Sequence, residues 1–282
     1  MLCAFDSPEH RSSPHEGSDP YGTRRAERMA SGLLEDVPDW TDSSAYRLLL
    51  GAERAAHAWE WLRRNPDYRR ASLAAFDGTA ATSRAEHWNL HAFEHPGLAA
   101  QLARPVWAAP SYRWVLRGKA EPVTADEDGF DLQAFAPLST LLESGGINRL
   151  LLSDGYRSLR LDLAGVDLRL SPVRLSFELH GLETLDRSLL VLRRFHSLVL
   201  KGRFVSSLHQ PVRRARRLVL LLRAFDAMRA GASQAEMAEV LLSSSLVRRG
   251  WRIHSPSIRS QAQRLVSGAR TLAAGGFWKL LE

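Results

Sequence analysis

Ser257, Ser260, Gln263, Arg264 and Ser267 recur at intervals that bring them to one side of a helix, with Arg259 and Gln261 at its flanks. Ile258, Ala262, Leu265, Val266 and Ala269 share the other side, so the segment reads as an amphipathic helix from Pro256 to about Leu272. Its polar face suits a DNA major groove. Arginine can donate two hydrogen bonds to guanine, glutamine can pair with adenine, and serine or a helix N-terminus can hold phosphate. An ordinary solvated helix has the same composition, and the charge around the segment separates the two readings. Between Arg187 and Glu282 the chain carries 18 Lys/Arg and four acidic residues, Asp226, Glu236, Glu239 and Glu282. That block has a net charge of +14, against −7 for residues 1–186 and +7 for the whole chain. A basic, arginine-dominated block gains affinity for nucleic acid by neutralising phosphates and releasing counterions. The sequence therefore predicts base contacts from Ser257, Arg259, Ser260, Gln263 and Arg264, and phosphate contacts from Arg213, Arg217, Arg248, Arg249 and Arg252.

Other chemistry has less to stand on. His87, His91 and His95 recur every four residues beside Glu86 and Glu94, a spacing that on a helix could present imidazoles to a metal. No His-Glu-x-x-His run accompanies them, and Pro96 would distort the helix beside His95, so packed or solvated histidines are expected and no metal is assigned. Asp126-Glu127-Asp128-Gly129 lacks calcium-loop spacing and reads as an acidic loop. Gly145-Gly146 and Gly275-Gly276 lack a phosphate-loop context and read as turns. No nucleophile elbow or triad order emerges, so neither catalysis nor a cofactor is expected.

The elements that must hold the polar helix face are legible as changes of period. The fold class expected is α+β: a helical N-terminal module, a small antiparallel sheet in the middle, and a C-terminal helical bundle containing a helix-turn-helix-like pair. Residues 1–37 mix Ser, Pro, Gly and charge and read as a disordered leader. Residues 38–105 form the helical module. Asp42 or Ser43 caps a helix with Tyr46, Leu49, Leu50, Ala56, Trp59 and Leu62 on its apolar positions, ending before Asn65-Pro66; a second helix is expected from Ser83 to Phe93. Residues 106–182 form the β region. Strands are expected at Tyr112 to Arg117, at Asn148 to Leu152, and in the alternating runs through Leu159, Leu161 and Leu163 and through Val173, Leu175, Phe177 and Leu179. Asp154-Gly155 is a strong hairpin signal.

Residues 183–282 return to helical period. Helices are expected over Asp186 to Val199 and over Val212 to Arg229, the second entered through Pro211, ended by Gly231 and interleaving Leu218, Leu222 and Phe225 with Arg213, Arg214, Arg216, Arg217 and Arg223. Ser233-Gln234-Ala235-Glu236 fits a capping box, and small Ala238 in the helix it starts lets another helix approach closely. The polar helix then follows, capped by Ser255 or Ser257. The pair is not a compact helix-turn-helix, since Ser243 to His254 separates the helices where a turn of about three or four residues is usual. That insertion is a loop or wing. Its arginines and Trp251 either grip phosphates or, respectively, face solvent and plug the bundle.

These stretches carry a family resemblance. Arg216-Arg217-Leu218, Gly231-Ala232-Ser233-Gln234-Ala235-Glu236-Met237-Ala238, Trp251, Ser257-Ile258-Arg259, Arg264-Leu265-Val266 and Gly275-Gly276-Phe277-Trp278-Lys279-Leu280-Leu281 resemble a proteobacterial C-terminal domain described as a transcription-factor DNA-binding domain. Tyr46 and the run Ala58-Trp59-Glu60-Trp61-Leu62-Arg63-Arg64-Asn65-Pro66-Asp67-Tyr68-Arg69 resemble the transcriptional-regulator-like domain that often precedes it. The resemblance spans most of residues 40–282. It implies a transcriptional activator of a kind carried on integrative and conjugative elements, with double-stranded DNA as its partner. The acidic half would meet RNA polymerase, an antiactivator protein or a second protomer. Two other readings stay open: a protein-interaction regulator that sequesters an acidic partner, and a DNA-processing enzyme, which would need a metal or nucleophile cluster.

Length and apolar content complete the frame. At 282 residues two or three modules are expected. The longest aliphatic stretch, Leu218 to Leu222, is far short of the roughly 20 residues a membrane span needs. Cys3 is the single cysteine and cannot form an internal disulfide, and the polar, proline-bearing first 20 residues do not read as a secretory signal. A cytoplasmic protein is expected.

Overall fold

Tyr46, Trp59, Leu62 and Tyr68 pack in one core with Val219, Leu222, Phe277 and Leu281, so residues far apart in sequence share a single apolar interior. The computed structural model describes residues 37–79, 84–109, 111–123, 129–170, 172–242 and 256–282. The expected leader, residues 1–37, lies almost wholly outside them. Among the described residues the chain is α+β, with six α-helices and one five-stranded sheet.

The N-terminal helical segment departs from its expected form. In place of one helix through Tyr46 and Leu62 there are two pieces, a 3-10 helix at Ser44–Gly51 and α1 at Arg54–Leu62. The break serves Glu53. With Ala52 and Glu53 extended, the Glu53 carboxylate accepts from the Ser158 amide (3.0 Å) and pairs with Arg194 (3.1 Å) and His209 (3.1 Å). A continuous helix would forfeit those contacts. Asp42 accepts from the Ser44 amide and hydroxyl, both at 2.8 Å. After α1 the chain starts again as α2, Pro66–Phe76. The Asn65 side chain caps it by accepting from the amides of Asp67 and Tyr68, and Pro66 takes the first turn, where its missing N–H costs nothing. The helix expected from Ser83 to Phe93 is only a 3-10 turn at Ala85–Trp88, closed by Asn89 in the left-handed region.

The sheet orders its strands β2-β3-β4-β1-β5, with β1 Val115–Pro122, β2 Ser139–Ser144, β3 Ile147–Ser153, β4 Ser158–Gly165 and β5 Val173–Glu178. Three pairings are antiparallel, and β1 against β4 is parallel, so the sheet is mixed. A parallel pair needs a long crossover. Here the crossover contains β2 and β3, a hairpin turned by Gly145 and Gly146 at φ 62° and 72°. Both positions demand positive φ, which glycine adopts at little steric cost. The Asp154-Gly155 hairpin joins β3 to β4 as expected; the Asp154 carboxylate accepts from the amides of Tyr156 (3.0 Å) and Arg157 (2.8 Å).

Leu159, Leu161 and Leu163 point into a second core, against Val191, Phe195 and Leu198 of α3, Leu182–Lys201. The opposite face is not left to water as alternation implied. Arg160 there is fully buried, its guanidinium donating to the Trp107 carbonyl and pairing with Asp162, two residues along the same face. Burial pushes its pKa down.

α4, Ala215–Arg229, carries the charged centre of the first core. Asp226 is 3% exposed and accepts from Arg64 Nε (2.7 Å), Arg64 Nη2 (2.8 Å) and the Tyr46 hydroxyl (2.7 Å). Arg64 also donates to the Glu60 carbonyl and carboxylate, and Glu60 further accepts from Arg63 Nε (2.8 Å) and the Ala100 amide (2.7 Å). Burial alone would raise the Glu60 carboxyl, but Arg63 and Arg64 outweigh it and hold its pKa at about 2. Burial and the Asp226 charge together push the Tyr46 phenol well up. Arg223, whose interleaving in the sequence matches that of the surface arginines, is instead buried, donating to the carbonyls of Trp40 (2.9 Å) and Thr41 (3.0 Å).

Removing one member of such a network leaves an uncompensated buried charge. Asp226→Ala should destabilise the chain by about 3–5 kcal/mol in urea denaturation. An Arg64→Met/Asp226→Leu pair should lose less than that single change, because both charges leave together. His57 sets a pH response. Burial lowers its pKa to about 4, and its Nε2 is buried with no hydrogen-bond partner. The unfolded imidazole titrates near 6.5, so this contribution is complete above pH 6.5 and is lost as pH falls toward 4. Stability should drop by about 2 kcal/mol between pH 7 and 5, and the drop should shrink markedly in His57→Gln when unfolding is followed at both pH values.

Candidate nucleic-acid interface

Two helices and the start of α4 frame the polar face singled out in the sequence. α5 spans Gln234–Leu241 and α6 spans Pro256–Ala273. The capping box at the start of α5 forms as its sequence implies. The Ser233 amide donates to Glu236 Oε2 (2.7 Å) and the Glu236 amide donates to Ser233 Oγ (3.2 Å). These bonds to Ser233 lower the Glu236 pKa. Ala238 and Ala262 are both fully buried in one small cluster, where their small side chains let the helices approach, with Leu242 and Ile258 packed beside them. Ala262, Leu265, Val266 and Ala269 form the buried side of α6.

Ser257, Gln263 and Arg264 are exposed, together with Gln261, Ser267, Arg270 and Thr271. Ser260 and Arg259 are half-buried, and Arg259 already interacts within the protein. Gln234, at the start of α5, joins Gln263, Ser267, Arg270 and Thr271 around a polar groove of about 360 Å3. Arg270 and Gln234 were not singled out in the sequence. Arg270 was findable there, since it follows Gln263 by two helical turns; Gln234 was not, because only the packing of α5 on α6 brings it alongside.

α4 crosses α6 at Gly268. A Cβ at that position would come within 2.9 Å of Leu221 Cδ2 and 4.0 Å of Arg217 Nη2. The close crossing places the exposed Arg217 guanidinium beside α6. Arg213 is exposed as well, but it lines a different cavity, near Pro211 and Leu280. Arg248, Arg249, Arg252 and Trp251 lie outside the described residues. Two other basic side chains of the C-terminal block are withdrawn from any surface role: Arg194 and Arg223 are 9% and 7% exposed.

The histidine series does not form the face its spacing suggested. His87 sits in the 3-10 turn, the His91 amide donates to Val106 O across a strand-like bridge, and His95 Nδ1 accepts from the Gly97 amide (3.1 Å). Among the described residues no three His, Cys, Asp or Glu side chains are grouped to hold a metal. Asp126, Glu127 and Asp128 lie outside the described residues. Among the described helices none is long and apolar enough to cross a membrane.

Comparison with known proteins bears on both ends of the chain. Residues 181–282 match a family model described as "T6SS, Transcription factor, DNA binding domain". Residues 39–94 match one described as "Proteobacterial transcriptional regulator-like domain". A search of curated proteins finds no match. The two matches lie on either side of the sheet, and together they support a DNA-binding transcriptional regulator whose implied partner is DNA.

Proposed function

We propose that the chain is a sequence-specific transcriptional regulator, acting as an activator, that reads double-stranded DNA with α6 in the manner of a helix-turn-helix. The observation that carries this reading is the exposed side of α6, where Ser257, Gln263 and Arg264 stand on a helix fixed from behind by the Ala238–Ala262 contact and the α4 crossing. A helix held rigidly on one side and polar on the other can enter a major groove, and its short serines permit close approach. Ser260 on the same face and Arg259 at its flank, both half-buried, complete the base-reading set. Arg213 and Arg217, with Arg248, Arg249 and Arg252, grip phosphates and set the register.

Residues 1–186, at net −7, favour a protein partner over DNA, either RNA polymerase or an antiactivator. A homodimer suits this reading, since paired half-sites repeat about one helical turn apart. The matched domains point away from an enzyme, and magnesium-dependent cleavage of bound DNA would return the DNA-processing alternative to favour.

In a mobility-shift assay Arg264→Ala should cost about 1–3 kcal/mol on the preferred site and relax sequence preference, whereas Arg217→Ala should weaken specific and random DNA alike and lower the salt slope by about one. Equal losses on both DNAs for Arg264→Ala would move the reading face off α6. Absence of any shift at about 50 mM salt, where phosphate contacts are strong, would leave the sequestering regulator as the better account.

A further inference from the structure

A cavity of about 530 Å3 lies where the start of α1, the residues leading into β1, α3, the segment before α4 and the C-terminal turn come together. That volume falls in the range of about 300–1,000 Å3 usual for small-molecule sites. Its lining divides by chemistry. Arg54, Arg193 and Arg213 stand exposed along it, while half-buried Leu190, Leu208, Val212 and Leu280 supply an apolar wall.

The acidic member of the lining, Glu53, does not neutralise those three arginines. Its carboxylate is taken by Arg194 (3.1 Å), His209 (3.1 Å) and the Ser158 amide (3.0 Å). Among the described residues, no carboxylate lies within ion-pair distance of Arg54, Arg193 or Arg213. Arg54 is also the first residue of α1, so the positive end of that helix adds a field of the same sign. Trp114, an aromatic side chain of the lining, is already engaged. Arg187 and Arg194 approach the Trp114 ring at 5.5 and 5.4 Å, so its ring serves cations of the protein and offers little for stacking a flat ligand. Recognition here therefore rests on charge and aliphatic contact.

We propose that this cavity binds a small organic anion, a carboxylate or phosphate monoester with an apolar body. The anionic group sits among Arg54, Arg193 and Arg213, and the body lies against Leu190, Leu208, Val212 and Leu280. Because the wall is drawn from both the matched N-terminal and C-terminal segments, an occupant bridges them. The inference does not rest on how α6 meets DNA, and Arg213, proposed above to hold phosphate, is the one residue the two readings share.

The test uses the full chain and the fluorescent amphipathic sulfonate 8-anilinonaphthalene-1-sulfonate. Saturable binding near one probe per chain is expected, displaced by octanoate or octyl phosphate, and the better competitor identifies the head group. Arg54→Glu/Arg193→Glu should raise the probe Kd at least tenfold, while Arg229→Glu, exposed at the end of α4, should leave it unchanged. If the charge-reversed pair loses its native circular dichroism, Arg54→Gln/Arg193→Gln takes its place with a smaller weakening of the same sign. Non-saturable binding, an unchanged Kd in the paired variant, or displacement by inorganic phosphate as effective as by octyl phosphate would overturn the proposal.

Discussion

Asp226 is one carboxylate in a strongly basic stretch, and the arrangement of the N-terminal helices turns on it. The Arg64 guanidinium meets it through two parallel hydrogen bonds, the geometry in which arginine and carboxylate bind most strongly, and Tyr46 adds a third donor. All of this is buried, where an unpaired charge is costly and the attraction between charges is weakly screened. Arg64 must therefore face α4. Once it does, Trp61 lies 5.4 Å from Phe225, and Tyr46 joins the core that reaches Leu281. The apolar contacts contribute most of the cohesion, being numerous and non-directional; the ion pair fixes their register.

The matched segments do not coincide with the packing units. Residues 181–282 include α3, yet Val191, Phe195 and Leu198 of that helix belong to the core of the sheet. α4, α5 and α6 instead share the core of the N-terminal helices. α3 is thus continuous in sequence with one unit and packed on another. Arg194 reinforces this, donating to the Leu208 carbonyl (2.9 Å) while its other end pairs with Glu53. The polar side of α6 is therefore backed by a core drawn from both matched segments.

What was legible in the sequence followed from local chemistry. The capping box, the small residue at the helix crossing and the Asp154-Gly155 hairpin each involve residues within a few positions, and each forms. Asn65-Pro66, taken in the sequence only as the end of one helix, also begins the next, with Asn65 as its cap and Pro66 in its first turn. Gly145-Gly146 signalled a turn without revealing β2, because Ser139–Ser144 alternates weakly between polar and apolar side chains. The remaining surprises are long-range. Arg160 and Arg223 look like solvated side chains until distant carbonyls are placed beside them, and Asp226 looks like a minor subtraction from the local charge. The same holds for the polar face: the period of α6 separates its two sides, whereas Gln234 and Arg217 come beside it only through packing.

The parallel pairing of β1 with β4 also governs how the molecule is assembled as it is made. β1 sits between β4 and β5, and both partners follow it in the chain. The hairpins β2-β3 and β3-β4 can close from neighbouring sequence, but β1 has neither edge paired until residues 158–165 and 173–178 have been synthesised. A nascent chain released at the end of β3 would therefore hold a strand with two open edges, the condition that invites pairing with another chain. The sheet can close only when Glu178 has left the ribosome, and the first core waits longer still, for Phe277 and Leu281.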